Sequence, residues 1–228
     1  GGYFCGDTFL VIGASKIYYW KFISCRWRTN LTVFIKIIDK DDIKMSKGSK
    51  PKSSVKAQYD LTGKNIIITG GAGFLGRHFA AAVAEMGALP ILLDIGEDYL
   101  LQASTELAQS KVKTATYALD ICDKENVQNV VNEIANVHGT IDVLINSAAF
   151  AMKNLQEGGD GFFADFEDYD QKLWQVSLDV NLTGTFLILQ EVGKVMKDQQ
   201  NGVVINIASD VAVISPDHRI YKADKHFD

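Results

Sequence analysis

Cysteine, proline, histidine and long apolar runs are all scarce in this sequence. Three cysteines in 228 residues, Cys5, Cys25 and Cys122, make an odd set without zinc-ligand spacing. That argues against a disulfide framework and for a reducing compartment, with the cytoplasm as the expected location. Three prolines exclude a collagenous or proline-rich chain. His78, His138, His218 and His226 show no metal spacing among themselves or with Asp and Glu, so no metal is expected. No uncharged apolar run approaches the roughly 18 residues of a bilayer span; the best, Thr8 to Ser15, is stopped by Lys16. A net charge of −5 is mildly acidic and argues against nucleic acid as a partner.

What is present suits one folded domain. The chain is 47% hydrophobic and 22% charged, and its length allows one well-filled core but hardly two domains. Its N-terminal part differs from the rest. Residues 1 to 44 hold nine of the 23 aromatic residues, among them Tyr18, Tyr19, Trp20 and Trp27, mixed with Lys and Arg. No sustained period appears there, although Leu31 to Ile38 fits a short strand. One reading is an arm that binds a membrane surface or a partner; the preferred one is sequence upstream of the natural start, Met45. Met45 to Tyr59 is rich in Lys and Ser and reads as a flexible leader. Residues 1–60 are therefore expected to lie outside the domain and to pack poorly or not at all, and residues 61–228 to form it.

From Leu61 the pattern alternates. Asn65 to Thr69, Leu89 to Asp94, Thr114 to Leu119, Ile141 to Asn146 and Val203 to Ala208 read as strands. Helices are expected at Phe74 to Met86, Glu97 to Ser110, Asp123 to His138 and about Tyr169 to Gln199. Gly87 is a natural stop for the first and Asp123 a cap for the third. The strands are continuous apolar runs, as expected when helices cover both faces. Repeated β-α-β units give right-handed crossovers, hence an α/β fold with a doubly wound parallel sheet.

Thr69-Gly70-Gly71-Ala72-Gly73-Phe74-Leu75-Gly76 joins the first of these strands to the first helix. Glycines in that place let the backbone approach a pyrophosphate held by the helix N-terminus. The expected cofactor-binding residues here are Gly70, Gly73, Phe74, Leu75 and Gly76. Asp94 ends the next strand, 24 residues after Gly70, with no Arg or Lys within ten residues on either side. Its carboxylate can accept both ribose hydroxyls and would repel a 2′-phosphate, which favours NAD over NADP.

With these residues the chain resembles the short-chain dehydrogenase/reductase family from about Leu61 to its end. Four further motifs carry the resemblance. Asp120 in Ala118-Leu119-Asp120-Ile121 matches the Asp that touches adenine, with Ile121 beside it. Asn146-Ser147-Ala148-Ala149 is similar to the motif that backs the cofactor, here through Asn146 and Ala148. Asn181 in Asp179-Val180-Asn181-Leu182-Thr183-Gly184 matches the structural and catalytic Asn, and Ser209 the catalytic Ser. Phe74 departs from the common oxidoreductase branch, which has glycine there. The spacing Gly70, Gly73, Gly76 is similar to the extended branch of sugar-nucleotide epimerases and dehydratases.

The resemblance implies a tyrosine that exchanges the hydroxyl proton while hydride passes to or from the nicotinamide. Free tyrosine has a pKa near 10, and a lysine four residues later on the same helical face favours the phenolate. Tyr221 and Lys225 have that spacing and follow Ser209 by 12 and 16 residues. The alternative is a polar loop look-alike with the working tyrosine further on. The family also implies further strands beyond residue 228, so a C-terminally truncated chain with an open strand edge is expected. The reading is thus an NAD-dependent oxidoreductase with a small-molecule, sugar-related substrate, a homodimer or homotetramer when whole. An epimerase or dehydratase, and a nucleotide-binding fragment without activity, remain as alternatives.

Overall fold

The computed structural model describes residues 59–150, 164 and 166–209, together with strands at 8–12, 17–24 and 31–37. The N-terminal strands are β1 (Thr8–Ile12), β2 (Ile17–Ser24) and β3 (Leu31–Ile37). An alternating series follows: β4 (Asn65–Thr69), α1 (Phe74–Glu85), β5 (Leu89–Asp94), α2 (Glu97–Gln109), β6 (Ala115–Ala118), α3 (Lys124–His138) and β7 (Val143–Asn146). It continues with α4 (Gln171–Leu178), α5 (Thr185–Asp198) and β8 (Val203–Ser209). None of the helices among the described residues is long and apolar enough to cross a membrane.

The strands form one sheet in the order β1-β2-β3-β8-β7-β4-β5-β6. The five strands from β8 to β6 are all parallel, which is the expected doubly wound sheet. Successive side chains of a strand point to opposite faces, and both faces are covered. Ile67, Ile91, Leu93 and Leu144 pack with Val127, Val131 and Ile134 of α3 and Ile188 and Val192 of α5. On the other face Ile66, Ile68, Leu92 and Ile145 pack with Ala80 of α1 and Leu100, Ala103 and Leu107 of α2. Two-sided burial is why these strands lack polar alternation. Pro90 fits inside β5 for a local reason. Leu89 N–H donates to Lys64 O on the β4 side, so position 90 faces β6, whose pairing starts only at Ile91.

The helix ends follow local chemistry. Gly87 closes α1 with φ +96°, a conformation that glycine adopts without a Cβ penalty. The Asp123 carboxylate caps α3, accepting from Glu125 N–H at 3.0 Å and Asn126 N–H at 3.1 Å.

Two features go beyond the sequence reading. First, residues 1–44 contain three strands, and β3 takes up the strand expected at Leu31 to Ile38. β3 runs antiparallel along β8, from Leu31 opposite Ser209 to Ile35 opposite Ile205, and β2 and β1 extend the sheet outward. The edge of β8 is thereby paired. Edge pairing satisfies backbone N–H and C=O groups whatever the side-chain period, so weak periodicity is a poor guide there. Second, the long helix is not uniform. Between α4 and α5 the chain makes a π-helical segment, Asp179–Gly184. The wider turn lets Gly184 lie against Ile121, where a Cβ would come within 2.7 Å of Ile121 Cγ1.

Candidate functional site

The chain winds from β4 out to β6, then returns to β7 and continues the other way to β8. Loops leaving such a switch point part and leave a crevice beyond the strand ends. The glycine loop after β4 forms one wall and Ser147–Ala149 after β7 the other. Gly70 has φ +64°, and a Cβ on it would lie 2.9 Å from Ala148 Cα. A Cβ on Gly76 would collide with the Gly70 carbonyl oxygen and come within 2.7 Å of Gly71 Cα. Glycine at position 70 thus lets the loop after β7 come close, and glycine at position 76 lets the first turn of α1 sit directly on the glycine loop.

Three amides of the loop are used within the fold. Gly71 N–H donates to Leu93 O at 2.9 Å and Gly73 N–H to Gly70 O at 3.0 Å. Ala72 N–H donates to Asp94 Oδ2 at 3.0 Å. The donors left for an anion are the first amides of α1, at Phe74, Leu75 and Gly76, which a helix cannot pair internally. Gly73 at the N-cap supplies no side-chain cap, and the first turn carries no acidic residue. By contrast Asp123 and Asp170 cap α3 and α4. This terminus fits a diphosphate. Phe74 stands in place of a glycine, but its ring is 71% exposed and packs 4.5 Å from the His78 ring, so the aromatic group is accommodated outside the loop.

Asp94 closes β5, and Asp120 lies two residues beyond the end of the neighbouring β6. The second Asp94 oxygen accepts from Ile95 N–H at 2.9 Å. Asp120 Oδ1 accepts from Cys122 N–H at 2.9 Å. Burial first, then the Asp120 and Asp179 charges, push the Cys122 thiol up to about 11, so it stays protonated and is no nucleophile. The Ile121 side chain is turned into the core, so any contact it makes with a nucleotide is through its main chain.

Across the sheet Thr69, Asn146 and Asn206 share one register row. Thr69 Oγ1 accepts from the Ser147 and Ala148 amides, both at 3.1 Å. Asn146 Nδ2 donates to Asn206 Oδ1 at 2.8 Å, while Asn146 Oδ1 is buried without a partner among the described residues. Asn181, in the π segment, clamps the main chain of Phe150: its Oδ1 accepts from Phe150 N–H at 2.8 Å and its Nδ2 donates to Phe150 O at 3.1 Å. Ser209 ends β8, on the same side of the sheet. The glycine loop, Asp94, Asp120, Asn146, Ala148, Asn181 and Ser209 thus gather at one end of the parallel strands. Tyr221 and Lys225 lie outside the described residues.

Thr69, Asn206 and the Phe150 main chain were not singled out from the sequence. The first two do carry a signal. A threonine closes the isoleucine run of β4, and an asparagine interrupts the apolar run of β8; in strands covered on both faces, a buried polar side chain needs a partner.

Five parallel strands wound both ways from β4, with a glycine loop at the switch point, define a doubly wound α/β domain of the dinucleotide-binding class. The model of the short chain dehydrogenase family matches residues 64–227. The chain belongs to the short-chain dehydrogenase/reductase family. That match favours the oxidoreductase branch over the extended branch to which the glycine spacing alone points. A glycerol dehydrogenase of Listeria innocua, named as NAD-dependent, is 34% identical over 168 residues, 73% of this chain and 61% of its own length. A D-threitol dehydrogenase of Mycolicibacterium smegmatis is 32% identical over 173 residues, 75% of this chain and 63% of its own. The solved structure of an NAD+-bound xylitol dehydrogenase matches with a TM-score of 0.62 at 30% identity, over 69% of this chain and 57% of that one. The chain spans about three-fifths of the length of these two curated relatives.

Proposed function

We propose that the whole protein is an NAD-dependent oxidoreductase acting on a hydroxyl/carbonyl pair of a small polyol or sugar-like substrate. The observation that carries this reading is Asp94, a carboxylate hydrogen-bonded to the glycine loop at the strand end where a ribose would lie. No Lys or Arg is within ten residues of it, and Arg77 on α1 is ion-paired with Glu106. A carboxylate there accepts ribose hydroxyls and repels a 2′-phosphate. Relatives named for glycerol, threitol and xylitol support the substrate class.

The amides of Phe74, Leu75 and Gly76 would hold the diphosphate, Asp94 the adenine ribose, and Asp120 with the Ile121 main chain the adenine. Bound NAD supplies the hydride acceptor. Ser209 would orient the substrate oxygen. Tyr221, its phenolate favoured by Lys225, would take the hydroxyl proton in oxidation and return it in reduction.

Titration with NAD and NADP tests the cofactor choice. NAD is expected to bind tighter, and tighter binding of NADP refutes it. On the whole protein, NADH production from a panel of polyols tests the activity. Tyr221→Phe is expected to lower the rate by roughly 10²- to 10⁴-fold; near-normal turnover places the proton transfer on another residue. We also place the protein in a reducing, cytoplasmic setting, which the odd cysteine count supports. Assembly as a homodimer or homotetramer is supported by an apolar stripe along α4, the π-helical segment and α5, where Trp174, Leu182 and Phe186 are 57%, 65% and 57% exposed. Light scattering after gel filtration is expected to give a mass at least twice the monomer, and Leu182→Glu to shift it toward the monomer.

A further inference from the structure

Resting on the NAD reading, we propose that Asp94 also holds the glycine loop in its binding shape before a nucleotide arrives. Both carboxylate oxygens already accept backbone amides, Oδ2 from Ala72 N–H at 3.0 Å and Oδ1 from Ile95 N–H at 2.9 Å. Ala72 is the middle residue of the loop. Its neighbours Gly71 and Gly73 give their amides to backbone carbonyls, so of these three donors only that of Ala72 depends on a side chain.

An ionised carboxylate offers about four acceptor positions. Two are used by the amides, and the remaining two suit the two hydroxyls of a ribose. Loop shape and ribose recognition therefore share one group. Replacing Asp94 does not simply exchange NAD for NADP; it loosens the loop under the diphosphate and weakens both. Asp94→Asn is not neutral either. Its single oxygen serves one amide, and its NH₂ group is turned toward the other, donor against donor.

Two ligands separate loop support from ribose recognition. The full chain and Asp94→Ala are titrated with ADP and with 2′,3′-dideoxy-ADP, which has the diphosphate but neither hydroxyl. If Asp94 holds the loop, the substitution weakens the dideoxy ligand by about tenfold, the size of one charge-assisted hydrogen bond, and ADP by more. A second measurement needs no ligand: hydrogen exchange at the Ala72 amide is expected to speed up about tenfold or more in Asp94→Ala, while the Gly71 amide stays as in the parent. Unchanged dideoxy-ADP affinity with unchanged Ala72 exchange overturns the tether and leaves the cofactor reading standing. If the parent binds neither nucleotide, the cofactor reading fails and the exchange rate alone decides the tether. Should Asp94→Ala not fold, Asp94→Asn carries the same comparison, with the same sign expected.

Discussion

Gly70 and Gly76 allow the crevice to exist. A Cβ at Gly76 meets backbone atoms of Gly70 and Gly71, which cannot swing aside as a side chain would. Gly76→Ala is expected to destabilise by about 1–3 kcal/mol, the cost of overpacking, and to weaken ADP binding, as denaturant melts and titration will show. Gly193 in α5 is the counterpart. A Cβ there meets nothing within 4 Å, so Gly193→Ala is expected to stabilise by roughly 0.5–1 kcal/mol through helix propensity. The two glycines look alike in a composition count, and only their surroundings separate them.

The elements are tied together at the opposite end of the sheet by Asp142. Its carboxylate accepts from Lys64 Nζ at 2.8 Å, Asn65 N–H at 3.0 Å and Thr140 Oγ1 at 3.1 Å, so it links the starts of β4 and β7. Burial pushes its pKa up, but the bonds from Lys64, Asn65 and Thr140 outweigh that and hold it below the usual carboxylate value. Glu191 behaves alike. Its bond from Lys194 is the largest influence, and a bond from Gln128 joins α5 to α3. Both groups have folded pKa values below their unfolded ones. Their stabilisation is complete above the unfolded value, about 4, and is lost as pH falls through the folded one. Asp142→Ala is expected to cost about 1–3 kcal/mol at pH 7 and to flatten the loss of stability as pH falls below about 4, measured by urea melts at decreasing pH.

For the molecule as a whole, the two core clusters of the described residues join the parallel sheet to its helices, and we propose that this unit, from Leu61 onward, folds without residues 1–60. A chain starting at Tyr59 is expected to unfold cooperatively. It would also expose the edge of β8 that β3 covers, and a bare edge pairs with other chains. Greater self-association of that shortened chain, seen by light scattering, is the expected result. In the full chain the amides of β3 facing β8 are expected to exchange more slowly than those of an isolated peptide of residues 31–37, and equal rates would show that the pairing does not persist in solution.

The five parallel strands, their helices and the loop Gly70–Gly76 were legible along the chain because each rests on local chemistry. Unbroken apolar runs such as Ile66-Ile67-Ile68 need cover on both faces, glycines mark the loop, and Asp123 and Gly87 mark helix ends. Asp94, Asp120, Asn181 and Ser209 stand out through motif spacing, and the structure sets them at one end of the parallel strands. The bonds they make were not legible along the chain. That Asp94 reaches back to Ala72, that Thr69 holds Ser147 and Ala148, and that Asn181 grips Phe150 depend on atoms 22 to 79 residues apart. Such pairs meet only when strand order and register bring them together. The π segment at Asn181 and the pairing of β3 with β8 are of the same kind: Leu31 to Ile38 reads as a strand along the chain, but its partner is set by backbone hydrogen bonding, which leaves little trace in side-chain identity.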